Sequence, residues 1–185
     1  MLTRTLPLLA ALTLLVLTGC ATAAAPTEAA SSALAELGEI TLVQSKAPTQ
    51  LLRNEAAARV PEIVVQDVAE TTDSSASCLD TGVDPDGLAR QWTSTATFLV
   101  TNSQAARVAT VTEDVAATFS EQGWSAELDG AATTLTSETS PVVIHLEAVA
   151  KENGEHAEIR ITTTGQCVRT EGPESDEVLE LENAS

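Results

Sequence analysis

The sequence predicts an α+β fold, an antiparallel sheet with helices packed on one face as a two-layer sandwich, in the order α-β-β-α-β-β-β-β. Three observations carry this. Residues 91–100 alternate polar and apolar for the length of a strand, and residues 108–119 carry apolar side chains at helical spacing. Asp129-Gly130 and Asn153-Gly154 each stand between β-type runs, as two-residue hairpin turns do.

From Thr49 to Val60 the residues favour helix, with Leu51, Leu52, Glu55 and a run of Ala, stopped by Pro61. Ile63-Val64-Val65 and Val68 then read as a strand, and Asp73 to Ser77 as a polar turn. Asp80 to Gly87 is a long loop. In the next strand Trp92, Ser94, Ala96, Phe98 and Val100 share one face, which is expected to be the core face. After Thr101-Asn102-Ser103, with Asn102 or Ser103 as N-cap, comes a helix whose stripe is Val108, Val111, Val115 and Phe119. Gly123 stands where a left-handed C-cap is wanted, with Trp124 placed to fold back on the last turn. A type I′ turn at Asp129-Gly130 sets Trp124 opposite Leu135 and Leu128 opposite Ala131. A turn at Asn153-Gly154 sets Leu146 against Ile161 and Ala148 against Ile159 on one face, and Glu147 against Arg160 on the other.

Composition narrows the functions. Hydrophobic residues make up 43% of 185, enough for a core, so wholesale disorder is excluded. With 27 acidic against 9 basic residues and a net charge of −18, nothing could replace the counterions of a phosphate backbone, so nucleic acid is not an expected partner.

The first twenty residues indicate a compartment. Arg4 supplies a positive start, and Leu6 to Leu17 is an apolar run broken by Pro7 and Thr13, shorter than a spanning helix needs. It ends in Leu17-Thr18-Gly19-Cys20, which resembles the lipobox of bacterial lipoproteins. That resemblance covers the signal alone. It implies that residues 1–19 are a signal peptide, that the Cys20 thiol takes a diacylglyceryl group, and that the chain is then cut before Cys20. Two acyl chains suffice for stable anchoring where one does not. The expected location is the extracytoplasmic face of the cell membrane, reached through the lipid anchor. The alternative is an ordinary secretory signal cut elsewhere. Export of an unfolded chain leads us to expect no cofactor. An acidic surface is repelled by anionic head groups, so the domain is expected to stand off the membrane on its tether.

With Cys20 lipidated, Cys78 and Cys167 remain as an even pair in an oxidising compartment and are expected to form a disulfide, two buried free thiols being the alternative. Residues 20–46 read as the lipidated Cys and a flexible tether, with 33–43 readable as either helix or strand. Residues 47–170 read as the globular domain. Residues 171–185, rich in acids after Gly172-Pro173, read as a solvated tail, with a short helix through Val178, Leu179 and Leu181 as the alternative. Cys78 before a Trp92-bearing strand, Gly123-Trp124 after a helix, and Gly165-Gln166-Cys167 resemble, in outline, small envelope lipoproteins of actinobacteria. That group implies no general function.

Candidate chemistry is sparse. Asp80, Asp84 and Asp86 beside Gly82 and Gly87 offer oxygen ligands to a hard cation. The calcium-loop template fails, however, because Gly82 and Thr93 fall where carboxylates belong, and Asp-Pro-Asp-Gly is also a common turn. No metal site is therefore expected. His145 and His156 read as surface residues, and no nucleophile elbow or phosphate loop occurs. No catalytic residue is assigned. The expected function is a non-enzymatic binding or interaction module of the cell envelope, its partner an envelope protein or a small ligand. The alternatives are a wall hydrolase using two carboxylates and a carrier of lipid or hydrophobic ligands, with Trp92 or Trp124 lining its pocket.

Overall fold

The computed structural model describes residues 28–150 and 156–184. Among them are α1 (Glu28–Ala35), α2 (Leu42–Ala57), β1 (Val65–Ser77), β2 (Ala89–Val100), a 3₁₀ turn (Asn102–Arg107) and α3 (Val108–Ser120). There follow β3 (Ser125–Asp129), β4 (Ala132–Ser137), β5 (Ser140–Val149), β6 (Glu158–Thr164), β7 (Val168–Arg169) and α4 (Asp176–Asn183). The fold is α+β, with an antiparallel sheet in the order β1-β2-β6-β5-β4-β3 and β7 pairing beside β2. No helix among the described residues is long and apolar enough to cross a membrane.

Alternation puts one face of each central strand into the core. Phe98, Val100, Ile144, Leu146, Ile159 and Ile161 are buried together with Ala56 of α2 and with Val111, Val115 and Phe119 of α3. The opposite face carries Thr93 beside Thr164, Thr95 beside Thr162 and Thr97 beside Arg160. The β5–β6 register has Leu146 on Ile161, Ala148 on Ile159 and Glu147 on Arg160, as the patterning predicts. The Arg160–Glu147 ion pair closes at 2.8 Å, but both partners are about two-fifths exposed, so it marks register more than it stabilises. The Asn153-Gly154 turn lies outside the described residues.

Several expectations are corrected. Helix α2 begins at Leu42 rather than Thr49 and ends at Ala57 rather than Val60. Thr41 and Gln44 form a reciprocal capping box that starts it, and it runs on through Pro48. Strand β1 continues to Ser77 through the segment expected to turn at Asp73, because it is an edge strand and needs no apolar alternation. The β3–β4 hairpin places Leu128 on Thr133 and Ala126 on Leu135, so its turn is centred on Gly130-Ala131. Gly130, at φ +60°, takes the first central position, where a primed turn requires a positive φ. The slip moves each partner by two residues, so every side chain keeps its face. Finally, the acidic terminal segment forms α4, with Val178 fully buried, which is the alternative expected of it.

The end of α3 is as the sequence predicts. Gly123 has φ +91°, the Trp124 N–H donates to the Phe119 carbonyl at 3.1 Å, and the two rings meet edge to face at 5.5 Å. The helix reaches that end by another start, since neither Asn102 nor Ser103 caps it and a 3₁₀ turn leads into Val108.

Candidate interaction site at the open edge of the sheet

The buried stripe of α2 is Leu42, Ser45, Thr49, Arg53 and Ala56, a helical spacing carried largely by polar side chains. Two of these positions are hydrogen-bonded across to the sheet layer. Ser45 Oγ donates to the Gln166 carbonyl at 3.3 Å, and Thr163 Oγ1 donates to the Thr49 carbonyl at 2.9 Å. The close approach depends on Gly165, since a Cβ there would collide with Ser45 Oγ and Thr49 Oγ1. Farther along the stripe, Arg53 Nη2 lies 3.6 Å from Asp73 Oδ2 on β1, with both side chains about nine-tenths buried. Asp73 Oδ1 accepts from Trp92 Nε1 at 3.3 Å. Arg53 Nε and Ser94 Oγ are buried there without a hydrogen-bond partner among the described residues.

Trp92 belongs to a second core of Leu42, Val168 and Val178, closed by α4. Lys46 Nζ sits 4.5 Å from the Trp92 ring centroid and donates to the Leu181 carbonyl at 2.9 Å, so one cation ties α2, β2 and the end of α4. This placement carries Glu182 to the edge of β1, where its Oε1 accepts from the Ser75 N–H at 3.0 Å and from Ser75 Oγ at 2.7 Å. Arg90 Nη2 donates to the Ser75 carbonyl at 2.9 Å. Both main-chain groups of Ser75 are thus sealed by side chains. At the other end of the strand the Val68 N–H donates to its neighbour's carboxylate, Asp67 Oδ1, at 2.8 Å.

Between these seals the edge is open. Because the Ser75 N–H turns away from β2, alternation in an antiparallel ladder turns the main-chain groups of Asp73 and Thr71 the same way. No other strand among the described residues pairs there. A groove of about 620 Å³, lined by Thr71, Thr72, Asp73, Ser74 and Glu182, runs along this stretch. Nearer the start of β1 lies a second recess, about 440 Å³, lined by Ala57, Ala58, Val60, Glu62, Val65 and Phe98. Val68, which pairs with the core-facing Phe98, is 52% exposed, so the helix side of β1 remains apolar and uncovered between the two hollows.

The residues singled out in the sequence are placed as follows. Cys20 lies outside the described residues. Cys78 and Cys167 form a disulfide with a Cα–Cα distance of 5.9 Å. It ties the loop after β1 to the segment between β6 and β7. Asp84 is 2% exposed and turns inward, where its two oxygens accept from the Leu88 and Ala89 N–H groups at 3.0 and 2.7 Å. It thereby holds the start of β2, and the Asp80 carbonyl accepts from the Val83 and Asp84 N–H groups in a turn. Asp80, Asp84 and Asp86 do not converge; among the described residues no three His, Cys, Asp or Glu side chains could hold a metal together. His145 is exposed and shares a hydrogen bond with Thr134 Oγ1 at 3.0 Å. His156 is half-buried, with its Nδ1 buried and unpartnered among the described residues. Arg53, Asp73 and Glu182 escaped the sequence reading. The available signal was the period of Ser45, Thr49 and Arg53, which matches a helix face once polar residues are allowed on it.

No protein-family model matches the chain, and neither a curated protein nor a solved structure matches it.

Proposed function

We propose that this protein is an extracytoplasmic lipoprotein, anchored to the cell membrane through acyl chains on Cys20, whose domain is a non-enzymatic interaction module of the cell envelope. The observation that carries the interaction reading is the contrast, among the described residues, between large side chains fully buried where helices meet sheet and an open sheet edge. Trp92, Phe119, Leu135 and Ile144 are fully buried where helices meet sheet, whereas the two hollows lie beside β1 and open to solvent. Side chains buried in this way leave the rim of the sheet, where the two hollows lie, as the surface offered to a ligand. That favours docking over a carrier, which needs an enclosed apolar cavity.

The hydrolase reading is less well supported. Asp73 and Glu182 line one groove, but each carboxylate already holds a structural partner, Arg53 and Trp92 for the first and Ser75 for the second. The membrane anchor rests on Leu17-Thr18-Gly19-Cys20 at the end of an apolar run, and the Cys78–Cys167 disulfide is consistent with an oxidising compartment.

Fractionation and mass spectrometry test this. The native chain should sediment with membranes through a high-salt wash, and its first mature residue should be Cys20 carrying acyl chains. Cys20→Ala should move the protein to the soluble extracytoplasmic fraction. A native chain that keeps Met1 and carries no fatty acid overturns the proposal.

A further inference from the structure

We infer that the open edge of β1 between Val68 and Ser75 is a strand-addition site for an extended, basic peptide segment with one bulky apolar residue. This rests on the reading of the domain as an interaction module and names the chemistry of its partner.

A 13-residue edge strand is a hazard, because its unpaired main-chain groups invite any extended chain. Here the ends of the edge are closed deliberately, at Val68 by Asp67 and at Ser75 by Glu182 and Arg90. Thr71 and Asp73 lie between the closures with outward main-chain groups and a groove alongside. An added strand would exchange ladder hydrogen bonds with these two residues, as in strand-addition recognition generally.

Side chains of such a strand alternate between two faces. On the helix side they would meet the carboxylate of Glu182 at the groove, Asp73 being already paired with Arg53, and on the other side Glu70 lies exposed beyond Thr72. The Glu182 carboxylate selects Lys or Arg at the alternate positions that face the helices, and Glu70 adds to the acidic field. A second copy of this chain, at net charge −18, is disfavoured by the same field. Farther along the helix side, exposed Val68 leads to the recess of Val60, Val65 and Phe98, which would take an aliphatic side chain. From Val65 to Asp73 is roughly 27 Å at about 3.4 Å per residue, so about eight residues span both hollows.

The probe is an acetylated, amidated octapeptide of Thr-Lys repeats with Leu in place of the last Lys, so that Lys and Leu share one face, titrated into the full chain in detergent micelles. Its twin carries N-methyl groups on the ladder-forming amides and has the same charge. The Thr71 and Asp73 amide signals should shift and their exchange should slow, and the plain peptide should bind about tenfold tighter than the twin, the difference made by two ladder hydrogen bonds. Binding should weaken as salt rises from about 50 to about 500 mM. Thr71→Pro, which removes an outward N–H that β2 does not use, should abolish binding while leaving the thermal midpoint of the free chain in place. Equal binding of the two peptides, or shifts scattered over distant acids, would show attraction by charge alone and overturn the proposal. So would the absence of binding, or self-association of the chain that Thr71→Pro abolishes. None of these outcomes bears on acylation at Cys20, which the mass measurement reads separately.

Discussion

Asp73 faces a buried guanidinium, an indole N–H and a solvent groove at once. Taking Arg53 and Asp73 out of water is costly, and Arg53 Nε has no partner among the described residues to offset it. The pair is therefore expected to contribute little against an apolar replacement and a great deal against a half-replacement. Asp73→Asn should lower the unfolding free energy by about 3 kcal/mol, because it leaves a buried charge unpaired. The double change Arg53→Met with Asp73→Leu should bring stability back to within about 1 kcal/mol of the parent. Urea unfolding of the parent, Asp73→Asn and the double variant checks this, and an Asp73→Asn protein as stable as the parent would refute it. Sequence reading placed Asp73 in a turn, since a carboxylate among Thr and Ser residues has the composition of a loop. Its burial depends on a helix 20 residues earlier in the chain.

Helix α4 shows how weakly a short element announces itself. Asp176 to Asn183 is half acidic, and its apolar residues are few enough to suit either a solvated tail or a helix. The choice falls to Val178, which is fully buried against Trp92, Leu42 and Val168. Val178→Ala removes two buried carbons and should cost about 2 kcal/mol in denaturant unfolding. Removal of residues 174–185 should in addition shift the emission of Trp92 to the red, read in a Trp124→Phe background that leaves Trp92 as the sole tryptophan. Unchanged emission would mean that α4 does not cover the indole. The β5–β6 hairpin is the contrary case. Its register was legible because Leu146, Ala148, Ile159 and Ile161 match across a short connection, and a one-residue slip would turn all four to solvent.

At the scale of the whole molecule the disulfide spans 89 residues of sequence, from the loop after β1 to the segment before β7. Closing a loop of that length should stabilise the fold by about 4–5 kcal/mol on the chain-entropy account. That is a large share of the roughly 5–15 kcal/mol that keeps a domain folded. The Cys78→Ser, Cys167→Ser protein should therefore unfold at a much lower denaturant concentration than the oxidised parent, and reductant should carry the parent toward the same midpoint. A loss under about 1 kcal/mol would mean that the unfolded chain is not constrained by this bridge. The same closure holds Gly165 and Gln166 against α2, and so braces the layer on which Asp73 and Arg53 meet.

The sequence by itself determined the elements whose information is local, namely the alternation of β2, the stripe and end of α3 and the β5–β6 register, and it pointed to the pairing of Cys78 with Cys167. Each depends on a period or a short spacing that solvent exclusion reads directly. Tertiary structure alone decided which strand became the open edge, and it brought Arg53, Asp73, Trp92 and Glu182 together from two helices and two strands. An edge exists only once the order of strands is set, and a polar side chain becomes buried only when another element covers it.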